Sequence, residues 1–332
     1  MYSMQRGIGT RVKSISEQKH FARVISSVGK SPLQHPLCSP ARSPYRYHLA
    51  VSVDRQQNQF LFSVSRFAAA SEMPACVVIT GANRGIGFGL VREILKCDDV
   101  KHVFACCRNP EGAERLHKLR RKDDRVNLVQ MDVTKPESIA VAAAQVTELV
   151  GSTGVNLLIN NAGTLADSRI EDALGPQTIL GANQDCYLEI FNVNVVGAIL
   201  VTKEFMPLLV IASQAYPDQD AYTINRSAII NISSGLASIG SNIVGSGYFN
   251  NMAYRCSKTA LNQFTKTASI DFKPAKILVV SCCPGWVKTD MGGLKASLEV
   301  SESARCLCRN LQRFGEKENG GFFKLDGERE LF

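Results

Sequence analysis

The chain has 332 residues, 45% hydrophobic and 20% charged, with a formal net charge of +8, which is the composition of a soluble globular protein with one domain of roughly 250 residues and an appendage. The excess charge sits in residues 1–72, where ten Lys or Arg face three acids, while the remaining 260 residues are nearly balanced; the body therefore offers no electrostatic case for nucleic acid. No uninterrupted run approaches the roughly 18 apolar residues of a spanning helix, which argues against an integral membrane segment.

In chain order, residues 1–72 come first. They are rich in Ser, Arg and Gln and broken by prolines at 32, 36, 40 and 44, a composition that predicts disorder. It is also the composition of a mitochondrial transit peptide, and it lacks the apolar block of about 7 to 15 residues that a secretory signal requires. From Met73 the stretch MPACVVITGANRG would start a folded body by itself. The leader thus reads as disordered and dispensable, which leaves the protein cytoplasmic, or as a transit peptide, which makes it mitochondrial.

The body opens with CVVIT at 76–80, apolar enough for a strand buried on both faces. Glycines follow at 81, 85, 87 and 89, and a helical pattern runs from 86 to 96. Glycines between a buried strand and a helix permit a sharp turn and a close approach, and the helix N-terminus behind them offers unpaired N–H groups to a phosphate. Such a turn also occurs where nothing binds.

Further strands are predicted at 102–107 (HVFACC), 126–131 (VNLVQM), 155–160 (VNLLIN), 227–232 (SAIINI) and 277–282 (ILVVSC), with helical patterns near 110–121, 136–150, 185–212 and 250–272. Repeating βα units with doubly apolar strands predict an α/β domain over 73–332, a Rossmann-type doubly wound parallel sheet of about seven strands with helices on both faces. A dinucleotide in such a sheet lies at the carboxyl ends of the strands, where the glycine turn falls. The eleven cysteines include neighbours inside strand-like runs, such as Cys106-Cys107 and Cys282-Cys283, and form no CxxC pair. Buried reduced thiols are therefore expected, and no metal site. All five histidines precede residue 118, which counts against a Ser–His–acid hydrolase. Tyr254 and Lys258, spaced i, i+4, share a helical face with Cβ atoms about 5–6 Å apart. A phenol with a reference pKa of about 10 needs a nearby cation to exchange its proton near neutral pH, and Lys258 is one. Alone, this pair would more often be an exposed helix face.

Read together, TGANRGIG (80–87), MDVT (131–134), NNAG (160–163), NVNVVG (192–197), NISS (231–234), YRCSK (254–258) and PGWVKTDM (284–291) form an ordered series. From about residue 74 to its end the chain resembles the short-chain dehydrogenase/reductase family. INISSGLASI, AYRCSKTALN, CPGWVKTDMGG and NGGFFKLDGERELF are similar to its C-factor and sniffer-like carbonyl reductase branch. The resemblance implies an oxidoreductase moving hydride between NADP(H) and an aldehyde, ketone or quinone. Thr80, Gly81, Asn83, Arg84, Gly85, Ile86 and Gly87 would then cradle the pyrophosphate and adenosine ribose. Asp132 would bond the adenine amino group, with Val133 beside it, and Asn160 with the Asn161, Ala162 and Gly163 that follow would steady the sheet and approach the cofactor. Pro284 and Gly285 would open the loop over the nicotinamide, with Val287 and Thr289 against its carboxamide and phosphate.

NAD-using members place an acid after the second strand, whereas this chain has Arg108 there and Arg84 in the turn. Two guanidiniums suit a 2′-phosphate, unless they are merely solvated surface charges. By the same resemblance Tyr254 is the proton donor, Lys258 its cation, Ser234 a hydrogen-bond donor to the carbonyl oxygen, and Asn194 the holder of a water that reaches Lys258; alignment of NISS passes over Ser233. The interval from Ser234 to Tyr254 is lengthened by GSNIVGSGYFNN, and GTLADSRIEDALGPQT follows from Gly163. These segments are expected to wall the substrate pocket. Apart from Arg169 neither carries an obvious anion clamp, so a small neutral carbonyl is expected as substrate, with a homo-oligomer an open partner. The other reading is a dinucleotide-binding signalling module of the C-factor type with little catalysis.

Overall fold

The computed structural model describes residues 73–165, 177–218, 220–243, 245 and 251–332; the expectations placed on residues 1–72 and on Arg169 lie outside the described residues. Seven strands, β1 (Cys76–Thr80), β2 (His102–Cys107), β3 (Val126–Gln130), β4 (Leu157–Asn160), β5 (Ala228–Ile232), β6 (Leu278–Cys282) and β7 (Phe322–Phe323), lie in the order β3-β2-β1-β4-β5-β6-β7, every pair parallel. This is the expected Rossmann-type sheet. The chain builds outward from β1 in one direction, then returns to β4 and builds in the other, so the switch point lies between β1 and β4.

Strand residues alternate between two cores, as the two-residue period of a strand requires. Val77, Ile79 and Leu157 face α1 (Gly85–Ile94), α2 (Glu114–Arg120) and α7 (Val300–Leu311). Val78, Phe104 and Leu158 face α3 (Pro136–Val150), α5 (Ala198–Ala215) and α6 (Met252–Asp271), where Val146, Val201 and Phe205 are fully buried. Helix α4 (Gln184–Phe191) leads into α5 through a π-helical turn, Asn192–Gly197.

Two elements lie beyond the sequence reading. Helix α7 buries Ala304, Leu307 and Leu311 and lies close on α1: a Cβ built on Gly89 would stand 2.6 Å from Val300 Cγ1 and 3.2 Å from Ala304 Cβ. Strand β7 is two residues long, too short for any periodicity. One helix bears on the expectation of no membrane-spanning run. The continuous helical stretch Gln184–Ala215 is long and apolar enough to cross a membrane by length and composition. Lys203 and Glu204 interrupt its apolar run, so a count of consecutive apolar residues passes over it. In the fold it is a core helix, with 56% of its most apolar window buried inside the protein.

The C-terminal end of α1 is closed by a distant side chain. Arg125, at the start of β3, donates to the carbonyls of Leu95, Cys97 and Val100 at 2.6, 2.9 and 3.3 Å, and its guanidinium is held by the Asp123 carboxylate at 2.7 Å. Carbonyls left over at a helix end need partners, and here one guanidinium provides several.

Candidate active site

A cleft of about 600 Å³ opens at the carboxyl ends of the strands, beside the switch point where such sheets bind ligands. Its floor is the turn from β1 into α1. Gly81 has φ +65°, and a Cβ there would stand 3.0 Å from Ala162 Cα, so the turn demands glycine for both backbone and space. At Gly87 a Cβ would stand 2.4 Å from the Gly81 carbonyl oxygen; its absence lets α1 start close against β1. The N-cap residue, Arg84, makes no side-chain capping bond, and no acid stands in the first turn. The leading amides of α1 are thus left to an anion. Gly81, Asn83, Arg84, Gly85 and Ile86 line the cleft.

Thr80 and Gly87 support this floor from behind. Thr80 Oγ1 accepts from the amides of Asn161 and Ala162 at 3.0 and 2.9 Å, and Asn161 Nδ2 donates to the Thr80 carbonyl at 2.8 Å. These bonds tie the ends of β1 and β4 together. Asn161 also faces the cleft with Ala162 and Gly163, whereas Asn160, expected beside them at the cofactor, only steadies the sheet. The division follows from strand alternation. Asn160 is 3% exposed, with Nδ2 donating to Thr202 Oγ1 and Asn231 Oδ1 at 3.0 and 2.9 Å. It begins a buried polar ladder that continues from Asn231 Nδ2 to Thr265 Oγ1 at 2.8 Å and from there to Ser281 Oγ at 2.7 Å.

The adenosine end of the cleft holds Arg108, Asp132 and Val133. Asp132 Oδ1 accepts from the Thr134 amide and hydroxyl at 3.0 and 2.7 Å. Burial pushes its pKa up, but the Thr134 bonds and the charges of Lys135 and Arg108 outweigh this and hold it below the usual value. The Arg108 side chain is exposed. Arg84 instead reaches across the mouth, where its Nη1 meets Asp290 Oδ2 at 2.5 Å. Behind β6, Pro284 and Thr289 line the cleft, while Gly285 and Val287 do not. Val287 is 3% exposed and bridges to Leu298, and a Cβ on Gly285 would stand 2.4 Å from Leu298 Cδ1. Both pack within the loop against Leu298, and Asp290 and Met291 join Pro284 and Thr289 in facing the cleft.

Helix α6 carries Tyr254 and Lys258 to the inner wall, where they are 9% and 4% exposed. Lys258 Nζ lies 5.9 Å from the Tyr254 ring centroid and donates to the Ile232 carbonyl at 2.7 Å. Burial pushes the Tyr254 phenol up to about 12, against the opposing effect of a hydrogen bond with Ser234. Burial also pulls the Lys258 ammonium down to about 8. Ser234 ends the extended run after β5 and accepts from the Leu236 amide at 3.2 Å. Of the two serines it is Ser233, 2% exposed, that lines the cleft, while Ser234 reaches it through its bond with Tyr254. Asn194 lies in the π-helical turn, a distortion common at functional sites. Its amide is fully engaged: Nδ2 donates to Thr164 O and Ser257 Oγ at 2.9 and 3.0 Å, and Oδ1 accepts from Thr164 N at 2.8 Å. It makes no direct bond to Lys258, though both lie close to Gly163, where a Cβ would stand 3.3 Å from Asn194 Oδ1 and 3.5 Å from Lys258 Nζ. Among the described residues no cluster of three His, Cys, Asp or Glu could hold a metal.

The cleft therefore joins an anion-ready helix terminus to a buried phenol and ammonium, with the Ser234 hydroxyl bonded to the phenol. Known proteins share this frame. The carbonyl reductase Sniffer of D. melanogaster is 36% identical, with a TM-score of 0.72 over 78% of this chain and 100% of its own. A carbonyl reductase from chicken fatty liver, solved with NADPH bound, is 36% identical, with a TM-score of 0.71 over 79% of this chain and 100% of its own. The short-chain dehydrogenase anuI of Penicillium roqueforti is 30% identical over 249 residues, covering 73% of this chain and 90% of that protein. The short chain dehydrogenase profile itself matches residues 75–297, from the strand before the glycine turn to beyond the loop after β6. By that match, and by a sheet that places its motifs around one cleft, the chain is an oxidoreductase belonging to the short-chain dehydrogenase family.

Proposed function

We propose that the chain is an NADP(H)-dependent carbonyl reductase that acts on small neutral aldehydes, ketones or quinones. The observation that carries this reading is the pairing of Tyr254 and Lys258 on the inner wall of a cleft whose floor suits a pyrophosphate, with Ser234 hydrogen-bonded to the Tyr254 phenol. The chicken carbonyl reductase with bound NADPH supports the choice of cofactor. That Arg108 is exposed in the cleft lining near Asp132 supports a role in holding a 2′-phosphate.

When bound, the nicotinamide supplies the hydride. With its pKa raised to about 12 by burial, Tyr254 stays protonated at neutral pH and can give that proton to the carbonyl oxygen. Ser234, whose one hydroxyl proton is bonded to the Tyr254 oxygen, would turn that proton to the carbonyl oxygen when substrate enters and orient it for attack. Lys258 carries a positive charge beside the phenolate that remains, and its bond to Ile232 O fixes where that charge sits. Asn194 holds Thr164 and Ser257 in place around the ammonium; a water on its backbone side would complete the return path for the proton.

Tyr254→Phe tests this assignment. The ring that packs on α6 is kept and the one transferable proton is lost, so turnover of a reactive dicarbonyl should fall roughly 10²-fold or more, while NADPH affinity by fluorescence titration stays unchanged. Undiminished turnover would remove Tyr254 from the role of acid.

A further inference from the structure

Helix α6, which carries Tyr254, does not cap itself. Its N-cap residue, Asn251, makes no side-chain bond to the first turn; Asn251 Oδ1 instead accepts from Arg255 Nε at 3.0 Å. The leading amides of a helix need acceptors from elsewhere, and here a residue 77 positions from Tyr254 supplies two. The Gln177 carbonyl accepts from the Met252 amide at 3.1 Å, and Gln177 Oε1 accepts from the Tyr254 amide at 3.2 Å. That is the role of a capping side chain, filled from across the fold. Gln177 is 1% exposed, and its Nε2 donates to the Leu165 carbonyl, so both ends of its side-chain amide are engaged.

Leu165 belongs to the stretch that leaves β4. Thr164, beside it, lines the cleft, and both of its backbone groups are held by Asn194 at 2.8 and 2.9 Å. Asn194 Nδ2 goes on to Ser257 Oγ at 3.0 Å, and Ser257 Oγ donates to the Tyr254 carbonyl at 2.7 Å. Two side-chain routes therefore join residues 164–165 to the peptide groups of Tyr254. One runs through Asn194 and Ser257 to its carbonyl, and the other through Gln177 to its amide. Gln177 stands outside the cleft lining, so its route to the chemistry is the backbone of Tyr254.

We infer that Gln177 is a positioning residue for the proton donor: by capping α6 from the stretch after β4, it fixes the turn that carries Tyr254 against the cleft. This rests on the carbonyl reductase reading of the site. A proton passes only within hydrogen-bond reach, and a small displacement of a reacting group is costly in rate, so the bond acts on turnover. Lys258 stands one turn further on with its own anchor, the Ile232 carbonyl, so cofactor binding does not depend on Gln177.

The test is Gln177→Met, which keeps the length of the side chain and removes both of its hydrogen bonds. With 9,10-phenanthrenequinone as the carbonyl, kcat per bound NADPH should fall about tenfold, while KM and NADPH affinity stay within about twofold. A merely structural role would lower the fraction of chains that bind NADPH and leave turnover per bound cofactor unchanged. In a Tyr254→Phe background the same substitution should cost less than about twofold, because it acts through a proton that is no longer there. Gln177→Glu keeps the acceptor for the Tyr254 amide and, once ionised, loses only the bond to Leu165. Its kcat should lie between those of the unmodified chain and Gln177→Met, and it carries the test if the methionine variant does not fold. Independently of turnover, residue-resolved hydrogen exchange should show the Tyr254 amide protected in the unmodified chain and exchanging about tenfold faster in Gln177→Met. Undiminished kcat in both variants, a loss confined to KM or NADPH affinity, an equal loss in the Tyr254→Phe background, or an unprotected Tyr254 amide in the unmodified chain would each overturn the inference. If Tyr254→Phe is slow and the Gln177 variants are not, the reductase reading stands and the inference alone falls. If Tyr254→Phe reduces the quinone as fast as the unmodified chain, the reading falls and takes the inference with it, even where exchange shows the bond.

Discussion

Lys258 is 4% exposed, its ammonium held by the Ile232 carbonyl, and among the described residues no carboxylate pairs with it. Burial disfavours its charge and brings its pKa from 10.5 down to about 8. Two consequences follow, of opposite sign. The charged form is the one that stabilises a Tyr254 phenolate, so kcat/KM for reduction should fall as pH rises through about 8, measured with saturating NADPH well removed from the Tyr254 range. Stability runs the other way. Because the folded-state pKa lies below the unfolded one, the native chain binds fewer protons between about 8 and 10.5, and this lysine's contribution to stability rises with pH across that window. Lys258→Met removes a buried unpaired cation and should raise Tm at neutral pH by roughly 2–4 °C, while turnover is lost and NADPH binds more weakly. A lower Tm would show that the ammonium supports the fold. Arg108 and Arg84 separate at the same scale. Arg84 is already engaged by Asp290, so selection for a 2′-phosphate should rest mainly on Arg108. Arg108→Asp should reduce or invert an NADPH over NADH preference of at least about tenfold, read as the ratio of kcat/KM values.

At the scale of elements, the single side chain that closes α1 makes a sharp prediction. Arg125→Ala leaves the carbonyls of Leu95, Cys97 and Val100 without their shared donor and Asp123 without its partner. A loss of about 2–3 kcal/mol is expected, the range for hydrogen bonds to a charged group, seen as a fall in denaturant midpoint at unchanged slope. The elements themselves were legible to different degrees. Strands β1 and β2 and helix α3 match their sequence patterns residue for residue, because a fully buried strand writes itself as an unbroken apolar run and Pro136 opens a helix where a missing N–H does no harm. Helix α7 was hidden: Ala304, Leu307 and Leu311 keep the period, but Ser, Glu, Arg and Asn between them dilute its hydropathy. The π-helical turn left no mark, since one extra residue in a turn alters hydrogen bonding without altering composition. For the same reason the sequence could not separate Asn160 from Asn161. Which of two adjacent asparagines faces the cleft is decided by the pleat, and partners such as Thr202 and Thr80 lie 42 and 81 residues away.

For the whole molecule, the motifs place Tyr254, Lys258, the glycine turn and Arg108 around one cleft, as their order along a doubly wound sheet foretold. The sequence could not report the bond between Gln177 and the Tyr254 amide, a contact between residues 77 apart. The body contains every motif and buries Met73 to 2% exposure. A chain begun at Met73 should therefore fold and keep full reductase activity; an insoluble or inactive product beside an active full-length chain would show that residues 1–72 are needed. We propose a cytoplasmic location, checked by fusing residues 1–72 to a fluorescent reporter: accumulation in mitochondria would favour the transit-peptide reading instead.

The sheet order also sets a timetable for synthesis. Strand β1 can pair with β2 soon after both emerge, but its other neighbour, β4, lies 80 residues further along the chain, as the contact of Cys76 with Asn156 marks. At about 5–20 residues per second a ribosome needs roughly 4–16 s to deliver it. Throughout that interval CVVIT, buried at every position in the finished fold, presents an open apolar edge in a three-stranded nascent sheet. Chains released before β4 should therefore aggregate, whereas those that reach β4 have the centre of the sheet closed and only its outer strands still to add.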